Sequence, residues 1–130
     1  MTTDRHRRAA TPGFALVMIS HAVNHAYDTL FPILYPSMIA EFSLSYSLVG
    51  LLAMSYRLSG GLLQIVMSFL GRFVRMKILL GLGMIWQCIA NSLVSMSQTF
   101  EHVLINRAFA GVGSSPQHPT GASYITHTFS

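Results

Sequence analysis

The residues of this sequence best suited to chemistry are His21, Asn24, His25 and Asp28, spaced i, i+3, i+4 and i+7 and therefore on one face of an α-helix. They lie in an apolar stretch, where Asp28 is the only formally charged residue between Ala9 and Ala40. A carboxylate in such a place has two low-cost fates: it takes up a proton or it pairs with a cation. The neighbouring histidines are of the type that titrates near neutral pH. The stripe therefore suits a substrate or proton pathway facing protein or water; the plainer alternative is interhelical hydrogen bonding that only holds a bundle together. Pro32 and Pro36 follow, and neither can donate to the carbonyl four residues before it. A bend just beyond Asp28 is expected, with polar backbone left beside the acid.

Arg57, the only charged residue between Phe42 and Gly71, offers a cation. At about 1.5 Å per residue, Asp28 lies roughly 21 Å from the inner end of its span, and Arg57 roughly 18 Å from the outer end of the next, antiparallel one. In a hydrocarbon layer roughly 30 Å thick both sit at middle depth, so an Asp28–Arg57 pair is expected. Gln64 lies seven residues beyond Arg57, and Gly60 and Gly61 between them give that helix a small, partly polar face. Gln87 and Asn91, at i and i+4, read as hydrogen-bonding contacts between helices. Arg107, next to Asn106, reads either as a side chain snorkelling to the outer headgroups or as a cavity cation that attracts an anionic solute or tunes a carboxylate. The run Gly111-x-Gly113-Ser114-Ser115 permits a close helix contact. No strand precedes it and no Walker lysine follows, which argues against a nucleotide-binding turn.

The elements that carry these residues follow from where charge is missing. Among 130 residues there are 8 Lys or Arg and 4 Asp or Glu, and 52% are hydrophobic. The mean hydropathy is +0.50, high for a chain whose helices need wet faces. The expected fold is all-α: an integral membrane bundle of four transmembrane helices, at about 14–37, 45–70, 76–95 and 101–121, preceded by a basic, irregular tail over 1–13. Ser43 or Ser45 is a candidate N-cap for the second span. Gly111, Gly113, Pro116 and Pro119 weaken the fourth as an ideal helix, and such breaks suit a site lined by protein or a wet cavity. The basic start followed by Phe14–Val23 is similar to a signal peptide, but no small-x-small site closes it and the apolar stretch runs on to Pro36.

Charge placement sets orientation and excludes other classes. Arg5, Arg7 and Arg8 precede the first span and Arg72, Arg75 and Lys77 separate the second from the third, while the 38–44 and 96–100 connections hold no Lys or Arg. The positive-inside rule then puts both termini in the cytoplasm of a cell with this chain multi-pass in its inner membrane, the lipid bilayer being its first partner. The net charge of +4 forms no basic stripe interleaved with aromatics, so nucleic acid is not an expected partner. Cys88 is the single cysteine and lies in an apolar stretch, and no metal-ligand spacing appears, so no metal or organic cofactor is implied.

Three segments together resemble the amino-terminal third of a major facilitator superfamily transporter, of the fosmidomycin-resistance-like and sugar-phosphate-like kind. They are HAVNHAYDTLFPILYPSMIAEFSLSYSLVGLL at 21–52, LGRFVRMKILL at 70–80 and INRAFAGVGSSPQHPTGAS at 105–123. The resemblance implies a non-enzymatic secondary transporter moving a small polar or anionic solute or drug, with protons as the coupling partner. It implies that His21, Asn24, His25, Asp28, Arg57 and Arg107 line the path and that Arg72, Arg75 and Lys77 take part in cytoplasmic loop gating. The loop departs from the family pattern. Aligned through Lys77, the first glycine falls on Met67, the acid on Gly71 and the second glycine on Val74, so the usual acid-based pairing and helix cap are missing. In the fourth span a frequent glutamine position is Ala110.

The family builds twelve spans as two halves of six, each a 3+3 inverted repeat, so this chain is expected to be a fragment that needs the remaining transporter helices and does not transport alone. Two other readings fit parts of the pattern: a small four-span multidrug transporter acting as a dimer, and a non-transporting membrane subunit whose polar stripe only binds a partner.

Overall fold

The computed structural model of the chain describes residues 2–119. Five helices follow in order: α1 Thr2–Ile33, α2 Tyr35–Phe42, α3 Tyr46–Leu70, α4 Met76–Val94 and α5 Phe100–Ser114. The basic start is not an irregular tail; residues from Thr2 onward continue α1 without a break at Pro12. The Arg- and Ala-rich segment before Pro12 favours helix, and the long helix behind it supplies the nucleus.

The expected bend beyond Asp28 occurs, but Pro36 places it. Pro32 stays inside α1, the chain turns at Leu34, and α2 starts with proline in its first turn, the one place where a missing N–H is harmless. α2 ends at Ser43, whose φ of 52° is left-handed, and its backbone N–H closes on Ile39 O. Of the two candidate caps, Ser45 is the one that caps α3, accepting from Leu48 N at 3.4 Å. Thr99 does the same for α5, with Glu101 in the first turn where a negative charge complements the helix dipole. Arg75 precedes α4 without a side-chain cap. That matches a loop lacking its acid.

Among the described residues, two helices are long and apolar enough to cross a membrane, Tyr46–Leu70 and Lys77–Val94. The expectation of four such helices is therefore met only in part. α1 carries the polar stripe and the basic start, and α5, at 15 residues, is shorter than the roughly 20 that a straight crossing takes. α5 ends where a turn at 115–116 brings in Pro116; helix resumes at 117–119, and the last expected residues of that span, 120–121, lie outside the described residues. Leu62, Ile65 and Phe69 of α3 and Leu82, Ile85 and Ile89 of α4 are exposed, Ile65 to 75%. Such outward apolar faces suit lipid or further apolar helices.

α5 is the hub, packed between α3 and α4. Its glycines explain the closeness. A Cβ on Gly113 would meet Gln87 N and Gly83 O of α4, each at 2.6 Å, and one on Gly111 would collide with Tyr56 O and Ser59 Oγ of α3. Ser59 Oγ also donates to Ala108 O at 2.8 Å, and Trp86 Nε1 donates to Phe109 O at 2.8 Å. Phe31, Met38, Leu44, Leu52 and Val103 fill one end of the bundle, and Tyr56, Ala90 and Ala110 form a smaller cluster deeper in.

Candidate functional site

A polar layer crosses the bundle at the smaller of these clusters, built from one or two side chains of each long helix and sharing Tyr56 with it. Gln87 of α4 is 1% exposed; its Nε2 donates to Asn24 Oδ1 of α1 at 2.9 Å and to the Tyr56 hydroxyl of α3 at 3.1 Å. One turn along α4, Asn91 Nδ2 donates back to Gln87 O at 3.0 Å, and Asn91 Oδ1 accepts from Arg107 Nη1 at 3.2 Å. Asn91 is half-buried with both ends of its amide bonded, and buried Gln87 spends its Nε2 on two partners; amides paired in this way suit a dry interior.

Arg107 does not reach outward. It is 3% exposed, and its guanidinium lies over the Phe31 ring at 3.7 Å and the Tyr56 ring at 4.2 Å. Two aromatic faces and an amide oxygen compensate part of the cost of burying the cation. Its Nε nevertheless has no hydrogen-bond partner. The side chain does not snorkel to the outer headgroups; it is buried in the bundle and is not among the residues that line the cavity beside Asp28.

Asp28 is half-buried, and its Oδ1 is shut off from solvent without a hydrogen-bond partner. It lines a cavity of about 200 Å³ together with Asn24, Tyr56, Arg57, Gly60, Gly61, Gln64, Ser114 and His118. The Tyr56 hydroxyl faces both Asp28 and Ser114. Arg57 is exposed at the cavity edge, and no ion pair joins it to Asp28. The site thus brings together an orphaned carboxylate oxygen, a phenol that can relay a proton, and an unspent N–H on a buried guanidinium.

The stripe on α1 divides. Asn24 is buried and Asp28 half-buried toward the cavity, whereas His21 and His25 hydrogen-bond each other through Nε2 at 3.1 Å, with the His118 ring 5.8 Å from that of His21. Arg72, Arg75 and Lys77 are exposed at the α3–α4 turn and do not line the cavity. Gln64, Gly61 and Gly60 do line it, and Gly60 is also buried against Gly111 and Ser114. The sequence carries no expectation for Tyr56 or His118, and for Ser114 only that of a close helix contact. A tyrosine beside an intramembrane arginine is a signal for the first, but nothing in the spacing marks a place in the cavity for the other two.

A helical bundle with two apolar, outward-facing helices and a buried polar layer suits a membrane setting. Residues 17–130 match the Major Facilitator Superfamily, and the chain belongs to that family. It is 30% identical over 103 residues to the Fosmidomycin resistance protein of Escherichia coli (strain K12), an overlap that takes in 79% of this chain and 25% of that protein. The chain therefore spans about a quarter of the length of that relative. No solved structure matches.

Proposed function

We propose that the chain builds the first four membrane spans of a proton-coupled secondary transporter, multi-pass in the inner membrane with both termini in the cytoplasm. The spans are 14–37, counting α1 and the start of α2 as one kinked crossing, 45–70, 76–95 and 101–121, with α5 and the helix resuming after Pro116 together forming the fourth. The basic tail over 1–13 lies on the cytoplasmic side, and Arg72, Arg75 and Lys77 form a cytoplasmic loop that takes part in gating.

Asp28 is the coupling acid. The observation that carries this role is its buried, unpartnered Oδ1 in a polar cavity beside the Tyr56 hydroxyl. Protonation neutralises the acid when the cavity is dry, and release restores a carboxylate that balances Arg107 and Arg57. With Arg57 at its edge and Arg107 packed against the ring of its Tyr56 wall, the cavity suits a small anionic or polar solute, and the family relative's link to fosmidomycin makes that compound the first solute to try. Further helices of the carrier complete the path, because alternating access needs a second bundle. Family membership supports this reading over a small four-span multidrug dimer.

The test is proton-driven movement of fosmidomycin in vesicles holding the complete carrier. Asp28→Asn is expected to abolish the dependence on the proton gradient while the protein still inserts. An unaltered pH dependence in that variant would remove Asp28 from the coupling role.

A further inference from the structure

His21 and His25 stand one helical turn apart on α1 with their Nε2 atoms 3.1 Å apart and their ring centroids 4.5 Å apart, nearly perpendicular. Two imidazole nitrogens bound to one metal ion at about 2.05 Å each are separated by about 2.9 Å at a square-planar right angle and about 3.3 Å at the tetrahedral angle, a range that contains the observed distance. The bite of a chelate is thus already set by the helix. An i, i+4 pair on one helical face is the arrangement that presents two Nε2 lone pairs to one metal. His25 is exposed and His21 half-buried, so neither ring is sealed inside the bundle.

Among the described residues, no three His, Cys, Asp or Glu side chains form a ready metal cage. The site is therefore bidentate, with water in the remaining positions. We propose that His21 and His25 bind one divalent transition-metal ion of the class that favours imidazole, Cu²⁺ most tightly and then Ni²⁺ or Zn²⁺. In the metal-free pair one Nε2 donates its hydrogen to the other. On binding, that hydrogen moves to Nδ1 of the same ring, so both Nε2 lone pairs face the metal and neutral imidazoles release no net proton. Acid opposes binding, because protonated imidazoles have no lone pair to give. The His118 ring beside His21 belongs to the cavity wall, so the bound cation sits next to the cavity of Asp28. Binding needs no transported solute, and the proposal stands or falls independently of the transport reading.

The experiment is a titration of the full 130-residue chain, free of affinity tags and held in detergent micelles, with Cu²⁺ followed by electron paramagnetic resonance and with Zn²⁺ by competition against a coloured chelator. The expected result is a site whose spectrum shows two coordinating nitrogens and whose affinity falls from about pH 7.5 to about pH 5.5. His21→Ala and His25→Ala should each weaken it by roughly tenfold or more, and His118→Ala should leave it essentially unchanged. His21→Asn and His25→Asn, which keep a polar side chain, replace the alanine variants if those fail to fold. Wild-type affinity in both single variants, a one-nitrogen spectrum, or equal loss in His118→Ala would each overturn the assignment.

Discussion

Helices α3, α4 and α5 meet backbone to backbone, whereas α1 reaches them through the ends of side chains. Gly111 lies against Tyr56 O and Gly60 of α3, and Gly113 against Gly83 and Gln87 of α4. Among the described residues, the contacts of α1 include Asn24 to Gln87, Ser20 to Gln117, the Tyr27 hydroxyl to Cys88 Sγ at 3.4 Å, and Phe31 beneath Arg107. Glycine contacts fix two helices at one offset, because any displacement drives backbone into backbone. Contacts between long side chains can be remade at a neighbouring offset. The polar layer sits at this joint, so the ionisable groups lie where the bundle is least rigidly held.

The strongest way to break that contrast is to add one methyl group to the rigid part. Gly113→Ala places a Cβ 2.6 Å from two backbone atoms of α4, and no rotamer relieves it. The expected loss is about 1–3 kcal/mol of folding stability, measured by denaturant titration in micelles. Gly111→Ala should behave alike against α3. Gly61→Ala is the control: nothing lies within 4 Å of its built Cβ, and alanine favours helix by up to about 1 kcal/mol. If Gly113→Ala matched the wild type in stability, the α4–α5 contact would not be the tight one described.

How much of this was readable beforehand differs between the two parts. The bounds of α3 and α4 follow from long apolar stretches with few charges, and Ser45 is one of the two residues that mark the start of α3 by type; the Thr99 cap of α5 is seen only in the structure. The close contact expected of Gly111 and Gly113 is present, but its two-sidedness depends on three helices meeting, which no local pattern encodes. Arg107 carried two readings because sequence gives depth along a helix and not the direction of the side chain; the faces of Phe31 and Tyr56 decide it. Gln87 read as helix–helix hydrogen bonding and does that, yet the same bonds place it at the centre of the polar layer. His118 lies beyond the Pro116 turn, where helical periodicity no longer tells which face a residue takes.

An intermediate effect is expected at the joint itself. Asn24→Ala and Gln87→Ala, alone and combined, form a double-mutant cycle across α1 and α4. Hydrogen bonds between membrane helices couple by about 0.6 kcal/mol on average and reach about 1.7 kcal/mol. The upper half of that range is expected, because Gln87 is 1% exposed and no water replaces its partner. A coupling near zero would mean that α1 is not held through Gln87.

The smallest effect is expected where α1 meets the segment after α5. The Ser20 hydroxyl has one hydrogen and two acceptors, Val17 O at 2.8 Å and Gln117 Oε1 at 3.3 Å. The shorter bond stays within α1, so the hydroxyl is largely satisfied by its own helix. Ser20→Ala therefore should cost under about 0.6 kcal/mol, below the average for a helix–helix hydrogen bond in a membrane protein. Gln117 gives the change a direction: its Nε2 is already buried without a partner, and losing Ser20 strips its oxygen as well. The resulting relaxation should fall on residues 115–119, not on α1, and hydrogen exchange resolved by segment separates the two. Faster exchange confined to 115–119 would show that the Pro116 turn follows α1 through this contact, whereas faster exchange along α1 would show that Ser20 anchors the helix and that the joint is tighter than its side-chain contacts imply.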